Sequence, residues 1–203
     1  RELRNLGIKT LIDLRASSET GRQSPLQKEF NVVHIPLATG DMENILKGIR
    51  EEKIKSDTVY RMVEQMNRDL IDKYTTEYRQ IFDILLDKNS YPVVIHCSSG
   101  KGRTGIVSAL VLAALGINED IIMEDYRLSN DYFNIPSASK DAYQLPARSQ
   151  EAITTLFSAR EDFLNAAKEE AERRYGDIDS YLQKGIGLNK DEIKRLRSIL
   201  LSD

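Results

Sequence analysis

Residues Val93 to Gly105 read VVIHCSSGKGRTG, and the organisation of the whole chain can be worked out from them. VVIH is a β-branched apolar run of strand type. CSSGKG is polar and rich in glycine, which marks a turn. From Thr104 to Leu115 the residues are apolar nearly all round and the run stops at Gly116, the pattern of a buried helix with a glycine C-cap. Strand, glycine turn and helix in this order aim several backbone N–H groups at one point, where the helix dipole also favours an anion. The segment is not a Mg-nucleotide loop, because GKGRTG lacks the four-residue spacer and the Lys-Ser/Thr pair. Cys97 and Arg103 stand instead at opposite ends of the turn.

Outward from this turn the N-terminal half alternates strand-like and helix-like signals. Residues 8–14 (IKTLIDL) and 32–36 (VVHIP) are short apolar runs bounded by Gly7, the polar stretch 15–24 and Pro36. With 93–97 they suit strands of a parallel sheet buried on both faces. Between the second and third runs, Val59, Met62, Val63, Met66 and Leu70 repeat at helical spacing, as do Tyr74, Tyr78, Ile81, Phe82 and Leu85, with the aromatics read as core. After Gly116, Asn118-Glu119-Asp120 supplies an N-cap and two first-turn acids. Residues 131–148, with Pro136 and Pro146, read as a loop, and 149–174 as one charged helix. Asn189 with Glu192 forms a capping-box pattern ahead of the stripe Ile193, Leu196, Ile199, Leu200. No repeat and no linker divides the chain. The expected architecture is one α/β domain over 1–203, with a mostly parallel central sheet flanked by helices.

Composition narrows the function classes. The 203 residues are 40% hydrophobic and 30% charged with 11 Gly and 5 Pro, which excludes disordered and collagen-like chains. One cysteine excludes an internal disulfide framework. A net charge of −3 gives no global attraction for nucleic acid or anionic membrane, and no apolar run reaches the ~18 residues of a membrane span. The chain opens at Arg1, so an upstream segment is expected to be missing, and both a cytoplasmic and a secreted location stay open.

The chemistry follows from the turn. Backbone N–H groups and the Arg103 guanidinium lower the pKa of a thiol at Cys97, and Arg103 grips two phosphate oxygens side by side as a lysine cannot. Ser98, Ser99, Gly100, Lys101, Gly102 and Arg103 form the expected phosphate cradle, with Gly100 and Gly102 supplying backbone freedom. Thr104 can hydrogen-bond the sulfur and ease its departure. A thiolate facing this cage attacks phosphorus in line, and water hydrolyses the resulting phosphocysteine. No metal or other cofactor is required.

His-Cys-x5-Arg-Thr-Gly resembles the signature of the cysteine-dependent protein tyrosine phosphatases. IDLRASSE at Ile12–Glu19, EYRQIF at Glu77–Phe82, EDYRLSN at Glu124–Asn130 and YGDIDSYL at Tyr175–Leu182 resemble a bacterial subfamily of tyrosine/serine phosphatases. The similarity spans nearly the whole chain. It implies a protein-tyrosine-phosphatase-like fold, a phosphoprotein substrate, and an N-terminal stretch ahead of Arg1. In some relatives the long helical region covers the site as a lid. One position departs: where many members have Asp, this loop has Gly102, and GKGRTG is closer to 3-phosphoinositide phosphatases. Lys101 then becomes a cation for a second phosphate on an inositol ring, which makes a phosphoinositide the alternative substrate.

A general acid must come from elsewhere. Asp41, after the strand end in HIPLATGD, is the first choice, and an N-cap of the following helix is its other reading. Asp13 is second, with a structural ion pair to Arg15 as its alternative. His96 is expected to shape the loop and His34 to be a satisfied structural histidine. Asp125 and Asn130 are expected either to brace the loop or to end a helix. Two rival classes remain: a pseudophosphatase that binds without turnover, disfavoured by intact Cys97, Arg103 and Thr104, and a rhodanese-like sulfur transferase, disfavoured by Arg-Thr-Gly at the helix entry.

Overall fold

In the computed structural model, residues 2–20 and 29–201 are described. A short helix α1 (Glu2–Asn5) leads to β1 (Thr10–Asp13), helix α2 (Ser17–Thr20) and β2 (Asn31–His34). Helices α3 (Met42–Arg50), α4 (Ser56–Lys73) and α5 (Thr75–Leu85) follow, then β3 (Val93–His96). Helices α6 (Gly102–Leu115), α7 (Glu119–Tyr132), α8 (Ile135–Ala138), α9 (Ala147–Leu156) and α10 (Glu161–Tyr175) come next. A single turn α11 (Ile178–Ser180) and α12 (Lys190–Leu200) complete the order. The expected α/β class holds.

The sheet order is β2-β1-β3, all parallel, with Asp13 in register with His34 on one side and His96 on the other. Only the central strand β1 is buried throughout, while β2 at the edge is partly exposed and β3 half-buried. The strands are shorter than the apolar runs because the chain leaves the ladder to build what lies beyond its carboxyl ends. Leu14 N–H still bonds the His96 carbonyl at 2.9 Å, but the Leu14 carbonyl already serves Leu37 N–H at 3.1 Å. The polar stretch 15–24 passes outside the described residues after position 20, as does position 1 with the segment expected before it.

Helices α4 and α5 match the two apolar repeats. Gly116 ends α6 in the left-handed region at φ +82°, which a side chain would strain. The capping box forms: Asn189 accepts from Glu192 N–H and Glu192 accepts from Asn189 N–H, both at 2.9 Å. Two readings need correction. Residues 131–148 are not simply a loop, since α7 continues to Tyr132 and α8 follows with Pro136 in its first turn, where no N–H is needed. The charged stretch 149–174 is not one helix either. It breaks between Leu156 and Glu161, where the Asn130 side chain accepts from Ala159 N–H (2.7 Å) and donates to the Ala159 carbonyl (2.9 Å).

Apolar side chains gather in two clusters. One, around Ile12, Leu14, Phe82, Ile106 and Tyr181, joins the sheet to α5, α6 and the C-terminal helices. The other, around Ile45, Ile49, Val59, Ile153 and Leu156, joins α3, α9 and the first half of α4. Helix α4 serves both: Leu70 and Ile71 belong to the first, Val59 to the second. Each such fully buried side chain contributes roughly 1.5–3 kcal/mol.

Candidate active site

The carboxyl ends of the three parallel strands converge, as parallel α/β sheets place their sites. Cys97 follows β3 directly. Gly100 N–H donates to Cys97 Sγ at 3.2 Å, which requires the left-handed φ of +69° that Gly100 adopts. Gly102 needs no such freedom, correcting the expectation: its φ is not positive and a Cβ there would meet nothing within 4 Å. Burial of Cys97 opposes the thiolate, but it is outweighed by the Thr104 hydroxyl and N–H, the Arg103 charge and the Ser99 N–H. Together these hold the thiol below its ordinary pKa. Thr104 Oγ1 is buried and completes no hydrogen bond of ordinary geometry, so the sulfur is the acceptor left for its proton.

Arg103 is buried and drawn to the ends of β1 and β2. Its Nη1 donates to the carbonyls of Leu14 (3.4 Å), after β1, and Leu37 (3.2 Å), after β2. Its main partner is Glu19 on α2: Nη1 to Oε2 at 2.5 Å and Nη2 to Oε1 at 2.8 Å. Glu19 also accepts from Ser98 Oγ (2.5 Å) and Ala16 N–H (2.7 Å), and the Arg103 bonds lead the causes that bring its pKa down to about 2. One carboxylate thus sets the guanidinium and clamps Ser98, the residue after Cys97. Sequence reasoning gave Glu19 no role, although IDLRASSE contains it. The usable signal was chemical, because a buried arginine needs a carboxylate partner.

Lys101 turns towards protein. Its Nζ donates to Asn130 Oδ1 at 3.1 Å and to the Phe157 carbonyl, and lies 4.5 Å from the centroid of the Phe133 ring, which stacks on Phe157. Asn130 therefore braces the loop, while Asp125 is exposed on α7. His96 sits beside the loop, Nδ1 at 3.4 Å from the Cys97 carbonyl and Nε2 at 4.0 Å from Asp13. His34 Nε2 pairs with the Arg15 carbonyl at 2.7 Å, a satisfied structural histidine. Asp13 forms the ion pair with Arg15, at 2.7 Å. Asp41 caps α3, accepting from Asn44 N–H (3.1 Å) and Asn44 Nδ2 (2.6 Å).

A cavity of about 80 Å³ lies over the sulfur, lined from the loop by Cys97, Ser99 and Arg103 and from the helices by Met42, Tyr126 and Phe157 among others. Thr39 and Met42, flanking Asp41, line it, while among the described residues no carboxylate and no histidine does. A larger groove of about 460 Å³ against α6, α7 and α10 offers no nucleophile, and its one lysine, Lys168, is paired with Glu119 at 2.5 Å. No group of three or more potential metal ligands occurs among the described residues. No described helix is long and apolar enough to cross a membrane.

A thiol with lowered pKa beside an arginine, in a turn of N–H groups, is an arrangement suited to an anion and to chemistry at sulfur. Comparison with known proteins gives the class a name: residues 1–202 match the tyrosine phosphatase family, and the chain belongs to it. It is similar to the triple specificity protein phosphatase PtpB of Mycobacterium tuberculosis, 29% identical over 98% of this chain and 84% of the relative. It is also similar to a putative tyrosine-protein phosphatase of Cupriavidus necator, 24% identical over 95% of this chain and 70% of that one. A tyrosine-protein phosphatase of Nostoc commune is 25% identical over 95% and 66% of the two chains. The expected protein-tyrosine-phosphatase-like fold and enzyme class stand.

Proposed function

We propose that this phosphatase hydrolyses phosphotyrosine esters, and phosphoserine and phosphothreonine esters more slowly, through a phosphocysteine at Cys97. The observation that carries the reading is the convergence of a Gly100-bonded, low-pKa sulfur with Arg103 held by Glu19. In the first step Sγ bonds phosphorus and the ester P–O bond breaks, the leaving oxygen taking a proton from Asp41. In the second, a water oxygen bonds phosphorus, its proton returns to Asp41, and sulfur departs as thiolate with Thr104 donating to it. The loop N–H groups and Arg103 hold the equatorial oxygens in both. Asp41 reaches the site by leaving its cap, a short step for a residue whose neighbours Thr39 and Met42 already line the cavity. Because 80 Å³ is well below the roughly 300 Å³ of a small-molecule site, substrate entry moves the roof of α3 and α9. The sharing of α4 between both apolar clusters supports treating 1–203 as one phosphatase domain.

Cys97→Ser is expected to abolish turnover of aryl phosphates, in chelator and without added metal, while inorganic phosphate still binds. Substantial residual activity would sink the covalent mechanism. Phosphoinositides are the second reading, favoured by Lys101 at the cavity wall. That use of Lys101 requires its release from Asn130 and Phe157. Faster turnover of phosphatidylinositol phosphates than of phosphotyrosine peptide would establish it.

A further inference from the structure

Three tyrosines are almost wholly buried, Tyr78, Tyr126 and Tyr181. Two meet the usual fate of a buried phenol: Tyr78 donates to the Leu70 carbonyl at 3.0 Å and Tyr181 to the Ile71 carbonyl at 2.9 Å. Among the described residues the Tyr126 hydroxyl has no such acceptor. Nor is it sealed in, since among the described residues the side-chain oxygen that is fully enclosed without a partner is Thr104 Oγ1. Tyr126 lines the cavity over Cys97. The residue is 4% exposed, and among the described residues nothing takes up its hydroxyl, which leaves the phenol a donor at the cavity wall.

The fold holds this ring closely. A Cβ at Gly105 would meet Tyr126 Cδ2 and Cε2 at 2.7 Å, so glycine there lets the ring press on the first turn of α6. That turn also carries Arg103, which fixes ring and guanidinium relative to each other. Burial raises the Tyr126 pKa, so the phenol stays protonated and acts as a donor throughout the working range.

In-line displacement puts sulfur at one apex of phosphorus and the leaving oxygen at the other. In the second step the attacking water enters at that same far apex. The loop N–H groups surround the equatorial oxygens, so the far apex opens to the cavity, whose lining holds no carboxylate or histidine among the described residues. We propose that the Tyr126 hydroxyl donates a hydrogen bond to the apical oxygen, that of the leaving group first and of the water second. This rests on the phosphocysteine reading above. Tyr126 keeps its own proton, and the proton transferred remains that of Asp41.

Such a bond strengthens as charge builds on the leaving oxygen, so its loss falls hardest on poor leaving groups. The test is Tyr126→Phe, which keeps the ring against Gly105, assayed beside Cys97→Ser on aryl phosphates of graded leaving-group pKa. The expected result is about tenfold lower kcat/KM for the poorest leaving groups, shrinking towards no change for the best, at an unchanged Tm. Activity unchanged across the series, or lost equally across it, overturns the assignment of Tyr126. Turnover surviving in Cys97→Ser overturns instead the covalent reading beneath it.

Discussion

Glu19 shows how much one side chain can organise. Its carboxylate receives Arg103, Ser98 and Ala16 N–H together, and it is two-thirds withdrawn from solvent. Glu19→Gln keeps the shape but removes the charge and one of the two acceptor oxygens facing the guanidinium. The expected outcome is a roughly tenfold weaker affinity for inorganic phosphate, measured as a competitive inhibition constant, because Arg103 is no longer held in register. The pH dependence has a definite sign. A carboxylate whose folded pKa lies near 2 against an ordinary 4.5 adds stability that is complete above about 4.5 and fades as the pH falls towards 2. Thermal melts of wild type and Glu19→Gln across that window should therefore converge on acidification. Gly102 carries a different message. With open space at its Cβ and no positive φ, a Cβ would fit there, so neither sterics nor backbone strain demands glycine.

At the scale of elements, the helix ends were the most legible features and Asp41 the most ambiguous. Its acidic side chain caps α3, and acid and cap need not exclude each other, which makes the choice of substitution decisive. Asn is as good an N-cap as Asp, whereas Ala costs about 1 kcal/mol. Asp41→Asn should therefore leave Tm unchanged and slow alkyl phosphates about a hundredfold while aryl phosphates suffer less; Asp41→Ala should add a fall in Tm. Equal loss on both substrate types in Asp41→Asn removes the acid role. The break between α9 and α10 was illegible for a physical reason. The charge periodicity runs through it, and what ends the helix is a side chain from α7, Asn130, far away in sequence.

Across the molecule, the second apolar cluster forms a roof over the catalytic loop. Phe157 is where the two meet: its ring stacks on Phe133 at 5.5 Å, its carbonyl takes Lys101, and it lines the cavity over Cys97. Phe157→Ala leaves the carbonyl in place but opens the roof. The ratio of kcat/KM for a phosphotyrosine peptide to that for a small aryl phosphate should rise several-fold, while Tm falls by the few degrees expected for about 1–2 kcal/mol. An unchanged ratio would mean that α9 does not gate entry. The candidate site was readable along the chain as far as Cys97, the N–H cradle and Arg103, because all lie within Cys97–Thr104, where local geometry alone brings them together. The parallel strands and the helix caps were readable for the same reason, being short-range patterns of apolar residues and hydrogen-bond donors. Glu19 and Tyr126 were assigned no role, and Asn130 was placed at the loop only as one of two alternatives, since each meets the loop only when separate elements pack, and burial then dictates the pairing. Lys101 was read along the chain as facing substrate, whereas its ammonium turns to protein, because its partners arrive from α7 and the end of α9.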